Sequence, residues 1–136
     1  MLKIKQLKEN HNLEGKRVLL RVDFNVPIND GSITEVSRIK KVLPTIKFLI
    51  NKKAKVIIIS HLGRPKGKVV SSLTLKPIAK KLSNYLNIKV NFSNENIGKY
   101  VVEKSKTMPQ KTILLLENLR FNKEEELNSK SFAKEL

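Results

Sequence analysis

Three short stretches gather the residue types that bind small anions. Arg21-Val22-Asp23-Phe24-Asn25-Val26-Pro27 places a guanidinium, a carboxylate and an amide within a few positions. Ser60-His61-Leu62-Gly63-Arg64-Pro65-Lys66-Gly67 adds an imidazole and a second arginine, and Glu117-Asn118-Leu119-Arg120-Phe121 adds a third. Arg38 opens an apolar-periodic stretch between the first two. The guanidinium is a planar fork that grips carboxylate or phosphate through two parallel hydrogen bonds, which a lysine ammonium does not reproduce. The chain has 23 Lys but only 5 Arg, and four of those five stand in these places. With 12 acidic against 28 basic residues, ordinary surface ion pairs are the weaker explanation. The expected chemistry is recognition of a small, multiply charged anion.

Other residues read less sharply. Asp23 and Asn25 suit two roles equally, binding substrate hydroxyls or capping the turn through Asx hydrogen bonds. His61, between an apolar run and a glycine, is either a structural hydrogen-bonder or a donor to an anion's oxygen. His11 has no supporting pattern. Gly63-Arg64-Pro65-Lys66-Gly67-Lys68 is one residue short of a P-loop, and Val69 stands where Ser or Thr is required. Glu124-Glu125-Glu126 reads as a solvated helix start, since acids favour that end of the dipole. No metal-ligand cluster is visible.

The elements that must position these residues alternate. Arg17–Val22 reads as a buried strand. Asn29-Asp30-Gly31-Ser32 is a turn signal. Ile39, Val42, Leu43, Ile46, Leu49 and Ile50 line one face of a helix. Pro44 within that pattern predicts a kink or a fresh first turn. Lys55–Ser60 is the clearest buried strand, followed by a loop from His61 to Lys68. Leu75, Ile78, Ala79, Leu82 and Leu86 form a second helix, with Thr74 as expected N-cap and Pro77 in its first turn. Ile88–Phe92 is a short strand, Ile97–Lys104 suggests a third helix, and Thr112–Leu116 is another strong strand. Ser129 caps a last helix carrying Phe132 and Leu136. The alternation predicts an α/β fold, a Rossmann-like open parallel sheet flanked by helices. In such sheets ligands bind beyond the carboxyl ends of the strands, where all three motifs fall. The pattern stops after a helix with no stop signal, which predicts a domain cut inside a βα unit.

Composition narrows the classes. A length of 136 residues suits one domain or a piece of one. No apolar run reaches the roughly 18 residues of a membrane span. Met1–Asn10 alternates lysine with single apolar residues and has no apolar core of a secretory signal. The absence of cysteine excludes disulfides and thiolate metal sites and fits a reducing compartment. A net charge of +16 invites a nucleic-acid reading. But the lysines are spread along the chain, Asn and Ile are each 13, and Trp is absent. That is a coding bias without a basic stripe or base-stacking platforms. A basic nucleic-acid-binding module is therefore the alternative reading, and no nucleic-acid partner is expected.

Taken together, Arg21-Val-Asp-Phe-Asn-Val-Pro27, Ser60-His-Leu-Gly-Arg-Pro65 and Leu115-Leu-Glu-Asn-Leu-Arg-Phe121 resemble phosphoglycerate kinase, in that family's order and spacing. Arg38-Ile39, Leu43-Pro44-Thr45-Ile46 and Phe132-Ala133-Lys134 extend the likeness to nearly the whole chain; Ser37 stands where Thr is more usual. The resemblance implies a two-domain α/β enzyme roughly three times this length. Residues 1–136 then form an incomplete N-terminal phosphoglycerate-binding domain, and the C-terminal nucleotide-binding domain is absent. It implies that Asp23 and Asn25 contact the hydroxyl and carboxylate end of 3-phosphoglycerate or 1,3-bisphosphoglycerate, with Arg21 in support. Arg38 resembles the catalytic arginine over the transferring phosphoryl group, and His61, Arg64 and Arg120 resemble the rest of the pocket. Mg-ATP or Mg-ADP is the implied co-substrate of the complete enzyme, with no nucleotide or metal held by this chain. A further arginine of the family's pocket, its glycine-rich nucleotide site, a lysine near the transferring phosphate and the Mg-bearing acid do not occur here. The expected protein is cytoplasmic, monomeric and without a membrane partner.

Overall fold

The computed structural model describes residues 5–136. The part of the Met1–Asn10 reading that concerns residues 1–4 lies outside the described residues.

Four parallel strands form the sheet in the order β1-β4-β6-β5: β1 Arg17–Arg21, β4 Lys55–Ile59, β6 Thr112–Leu116 and β5 Val90–Ser93. Registers run Arg17 to Lys55, Lys55 to Thr112 and Val90 to Ile113. The central strands are apolar at nearly every position because helices cover both faces. Period-two alternation sorts their side chains. Val56, Ile58, Ile113 and Leu115 join the core under α1 (Ser37–Asn51) and α2 (Lys76–Leu86). Ile57, Ile59, Leu114 and Leu116 face α3 (Lys99–Thr107) and α5 (Lys130–Glu135), packing with Val101, Met108 and Phe132. The expected α/β architecture is present.

Several local expectations shift. β1 is not a buried strand: it lies at the sheet edge, its inner residues Val18 and Leu20 touch the first core, and Leu19 on the other face is 47% exposed. One covered face gives alternation, which a short apolar run does not reveal. Helix α1 begins at Ser37 and runs through Pro44, so Pro44 does not open a fresh turn. Both Pro44 and Lys40, whose carbonyl loses its helical donor, are exposed, and water can satisfy that oxygen. The N-cap of α2 is Leu75, one residue past Thr74, although the Thr74 hydroxyl still accepts from the Lys76 N–H at 3.3 Å. Ser129 does cap α5, accepting from the Phe132 N–H. The turn at Asp30-Gly31 closes a hairpin of β2 (Ile28–Asn29) and β3 (Ser32–Ile33), with both turn residues at positive φ, as a tight two-residue hairpin favours. A short α4 (Lys123–Glu126) follows β6.

Candidate functional site

The carboxyl ends of β1, β4 and β6 deliver three loops to one rim. Hydrogen bonds stitch each loop to its neighbour. From the β1 loop, the Phe24 N–H donates to Ser60 Oγ at 3.0 Å, and Asn25 Oδ1 accepts from the Gly63 N–H at 2.9 Å. From the β6 loop, the Leu119 N–H donates to the Ser60 carbonyl at 3.0 Å. Asn118 is fully buried and uses its whole amide. Its Oδ1 accepts from the Leu62 and Arg120 N–H groups, and its Nδ2 donates to the Leu62 and Leu73 carbonyls at 2.8 and 2.9 Å.

Glu117 beside it is also buried. Its carboxylate accepts from the Leu75 N–H at 2.9 Å, the Thr74 hydroxyl at 2.7 Å and the Asn118 N–H at 2.8 Å. It therefore anchors the start of α2, where a negative charge meets the unsatisfied N–H groups of a helix. Gly67 completes the seam. Its N–H donates to the Arg120 carbonyl at 3.1 Å with φ +72°, and an added Cβ would lie 2.7 Å from that of Lys123. Only glycine fits both the left-handed backbone and the close approach.

On this frame stand the charged residues. Arg38, on the first turn of α1, donates from one terminal nitrogen to Asp23 Oδ1 at 3.2 Å and to the Asn25 carbonyl at 2.9 Å. Asp23 Oδ1 also accepts from the Asn25 N–H at 3.0 Å, so the Asx turn is real. Arg21 donates to Glu125 Oε1 at 2.7 Å, and Arg120 donates through Nε to Glu125 Oε2 at 3.2 Å. Glu126 approaches the same Nε at 3.6 Å. Arg64 is exposed and makes no ion pair or side-chain hydrogen bond among the described residues.

The structure thus brings together Arg21, Arg120, Asp23 and His61: burial, and then the positive charge of Arg120, lower the imidazole pKa, with Glu125, Arg21 and Asp23 also acting on it. Arg38 joins the group through Asp23 and Asn25, and Asn25 joins it to the Gly63-Arg64 loop. Arg64 shares the loop without a direct link to the other arginines.

Two expectations need correcting. Glu125 is not solvated, since its side chain is 9% exposed and bridges two arginines. Burial raises its pKa, but the hydrogen bonds from Arg21 and Arg120 outweigh that and leave it below the usual carboxylate range. Nor are the rim arginines free of ion pairs. Three of the four are paired, because one carboxylate can serve two guanidiniums and few acids are needed. Sequence reasoning also assigned no role to Glu117, Asn118 and Ser60. The available signal was two polar residues directly after the apolar run of β6, without an intervening glycine or proline.

Among the described residues no group of three or more His, Cys, Asp or Glu could hold a metal ion, and no helix is long and apolar enough to cross a membrane.

The family model for phosphoglycerate kinase matches residues 8–136. The phosphoglycerate kinase of Prochlorococcus marinus (strain MIT 9515) is 54% identical over 129 residues, covering 94% of this chain and 32% of the relative. That of Finegoldia magna is 50% identical over 134 residues, covering 97% and 34%. The crystal structure of phosphoglycerate kinase from Pyrococcus horikoshii OT3 superposes with a TM-score of 0.82 at 37% identity, covering 93% of this chain and 33% of that one. The structure from Coxiella burnetii gives 0.80 at 41% identity, covering 93% and 31%. The chain spans about a third of the length of the curated relatives it matches. A nucleic-acid-binding module gains no support from these matches or from the rim.

Proposed function

This chain belongs to the phosphoglycerate kinase family, and on that premise we propose that it supplies the phosphoglycerate-binding part of the enzyme. The reaction is reversible phosphoryl transfer from 1,3-bisphosphoglycerate to ADP, giving 3-phosphoglycerate and ATP. The observation that carries the reading is the convergence of Arg21, Arg38, Arg64 and Arg120, with Asp23, Asn25 and His61, on one rim, whose loops are stitched together at the carboxyl ends of β1, β4 and β6 and which the first turn of α1 joins.

In this reading Arg64 and Arg120 clasp the unreactive phosphate. Asp23 and Asn25 meet the hydroxyl and carboxylate end, and neutral His61 donates one hydrogen bond. Among the described residues Arg38 uses a single terminal nitrogen in its contacts, which leaves the rest of its fork for the transferring phosphoryl group. Little covalent work falls on the protein in phosphoryl transfer; positioning and charge stabilisation dominate.

The residues present do not suit Mg-nucleotide. The acids at the rim are already held by arginines, in Asp23 and Glu125, or buried under α2, in Glu117. We therefore assign Mg-ATP or Mg-ADP to a nucleotide-binding domain outside this chain, and expect this chain to be inactive alone, monomeric and cytoplasmic. Residues 1–136 are on this reading an incomplete N-terminal domain.

Calorimetric titration of this chain with 3-phosphoglycerate at physiological salt tests the proposal. Saturable binding that Arg64→Ala weakens is the expected result, and no binding by a folded chain overturns it. A coupled assay with 1,3-bisphosphoglycerate and ADP should show no ATP above background.

A further inference from the structure

Among the described residues Glu125 is the one acid that touches two of the rim's arginines. Each of its oxygens takes a different partner, Oε1 a terminal nitrogen of Arg21 and Oε2 the Nε of Arg120. The choice of nitrogen on Arg120 matters. A guanidinium held by Nε has its plane fixed, while both terminal nitrogens stay available as a two-pronged donor. Among the described residues those terminal nitrogens make no side-chain hydrogen bond or ion pair. Arg120 is also pinned through its backbone, its N–H on Asn118 Oδ1 and its carbonyl on the Gly67 N–H. Arg21 differs, since it spends a terminal nitrogen on Glu125.

We propose that Glu125 is a positioning residue for anion recognition, tying Arg21 to Arg120 so that the terminal fork of Arg120 is presented to the phosphate of 3-phosphoglycerate. This rests on the functional reading above and assigns Arg21 an indirect role. An arginine side chain loses rotamer freedom on binding a ligand. A carboxylate that has already ordered it removes that cost from the binding step. Glutamine at 125 would keep one acceptor oxygen but turn an NH₂ group toward the second guanidinium. Aspartate would keep the charge and withdraw it by one methylene.

The test titrates this chain with 3-phosphoglycerate in four forms besides wild type: Glu125→Gln, Glu125→Asp, Arg21→Gln and the Glu125→Gln/Arg21→Gln pair. Urea unfolding accompanies each titration, and the Arg120 Nε–H resonance is followed by NMR. Each single variant should weaken binding about tenfold, the scale of one charge-assisted contact. The pair should lose little more than either alone, because both act through Arg120. The Nε–H of Arg120 should be slow to exchange in wild type and fast in Glu125→Gln. Glu125→Asp separates geometry from charge, and Arg21→Gln keeps the test available if a Glu125 variant does not fold. Unchanged affinity in the folded variants overturns the proposal. Tighter binding by Glu125→Gln also overturns it, by showing that Glu125 competes with the ligand. If wild type binds no 3-phosphoglycerate, the functional reading fails, and the Arg120 resonance alone decides whether Glu125 orders that side chain.

Discussion

The rim is built of two corners on opposite terms. At the β6 corner, Glu117 and Asn118 are buried, and their polar groups are matched to backbone N–H and C=O groups of two loops, the β4–α2 connection and the loop after β6. At the β1 corner, Arg38 and Asp23 are about half exposed and share a 3.2 Å ion pair. A buried polar group left without its partner is costly, so the first corner cannot change without disturbing the frame. An exposed ion pair contributes little to stability and can exchange its partner for a ligand. The contrast gives one corner a matched, rigid frame and the other an exchangeable charge pair, the corner to which the proposed function assigns the chemistry. Glu125 lies between them, half-buried and paired with an arginine from each side.

The largest effect should come from breaking the rigid corner. Asn118→Ala strands two backbone carbonyls and two N–H groups and should cost about 3–5 kcal/mol, read as a lower urea midpoint. If stability is unchanged, Asn118 does not hold the loops together. Arg38→Ala should do the reverse, with stability altered by less than about 1 kcal/mol. Built into a full-length phosphoglycerate kinase, it should lower kcat about 100- to 1000-fold, the range for removing one preorganised charge donor. A raised KM with normal kcat would reduce Arg38 to a binding residue. Gly67→Ala tests the seam between the corners. It forces a Cβ against Lys123 and should cost about 1–3 kcal/mol, loosening the Arg64 loop and weakening 3-phosphoglycerate binding in titration.

Smaller effects separate the corners by pH. His61 should titrate below its ordinary value near 6.5, because burial and then Arg120 disfavour the imidazolium. Its unfolded form then binds a proton more readily than its folded form. The His61 contribution is full above the unfolded pKa and declines as pH falls through it toward the folded value. A bound anion should move the His61 pKa upward, seen as a displaced NMR titration curve with proton uptake on binding. A downward move would place the anion away from the imidazole. The smallest effect is expected from charge remote from both corners. Replacing Lys52, Lys53, Lys80 and Lys81 with Gln should leave 3-phosphoglycerate affinity nearly unchanged at physiological salt, where the screening length is about 8 Å. A large loss would credit the diffuse +16 charge instead of the arginines.

The sequence by itself determined the architecture and the membership of the rim. Alternating apolar runs and 3.6-period stretches are local signals, and they placed α1, β4, α2 and β6 close to where they stand. A parallel sheet then sends every strand-end loop to one side, so Arg21, His61 and Arg120 had to meet. What only the tertiary structure decided were the relations across chain distance. Nothing local in Lys123-Glu124-Glu125-Glu126 says that the middle acid reaches an arginine 104 residues away. Nothing in Glu117 says that it will anchor the residue before a helix that starts 41 positions earlier. The edge position of β1 and the sharing of one carboxylate by two arginines are likewise products of strand order. Periodicity reports which face a residue turns inward, whereas the partner it finds there depends on which loops the sheet brings side by side.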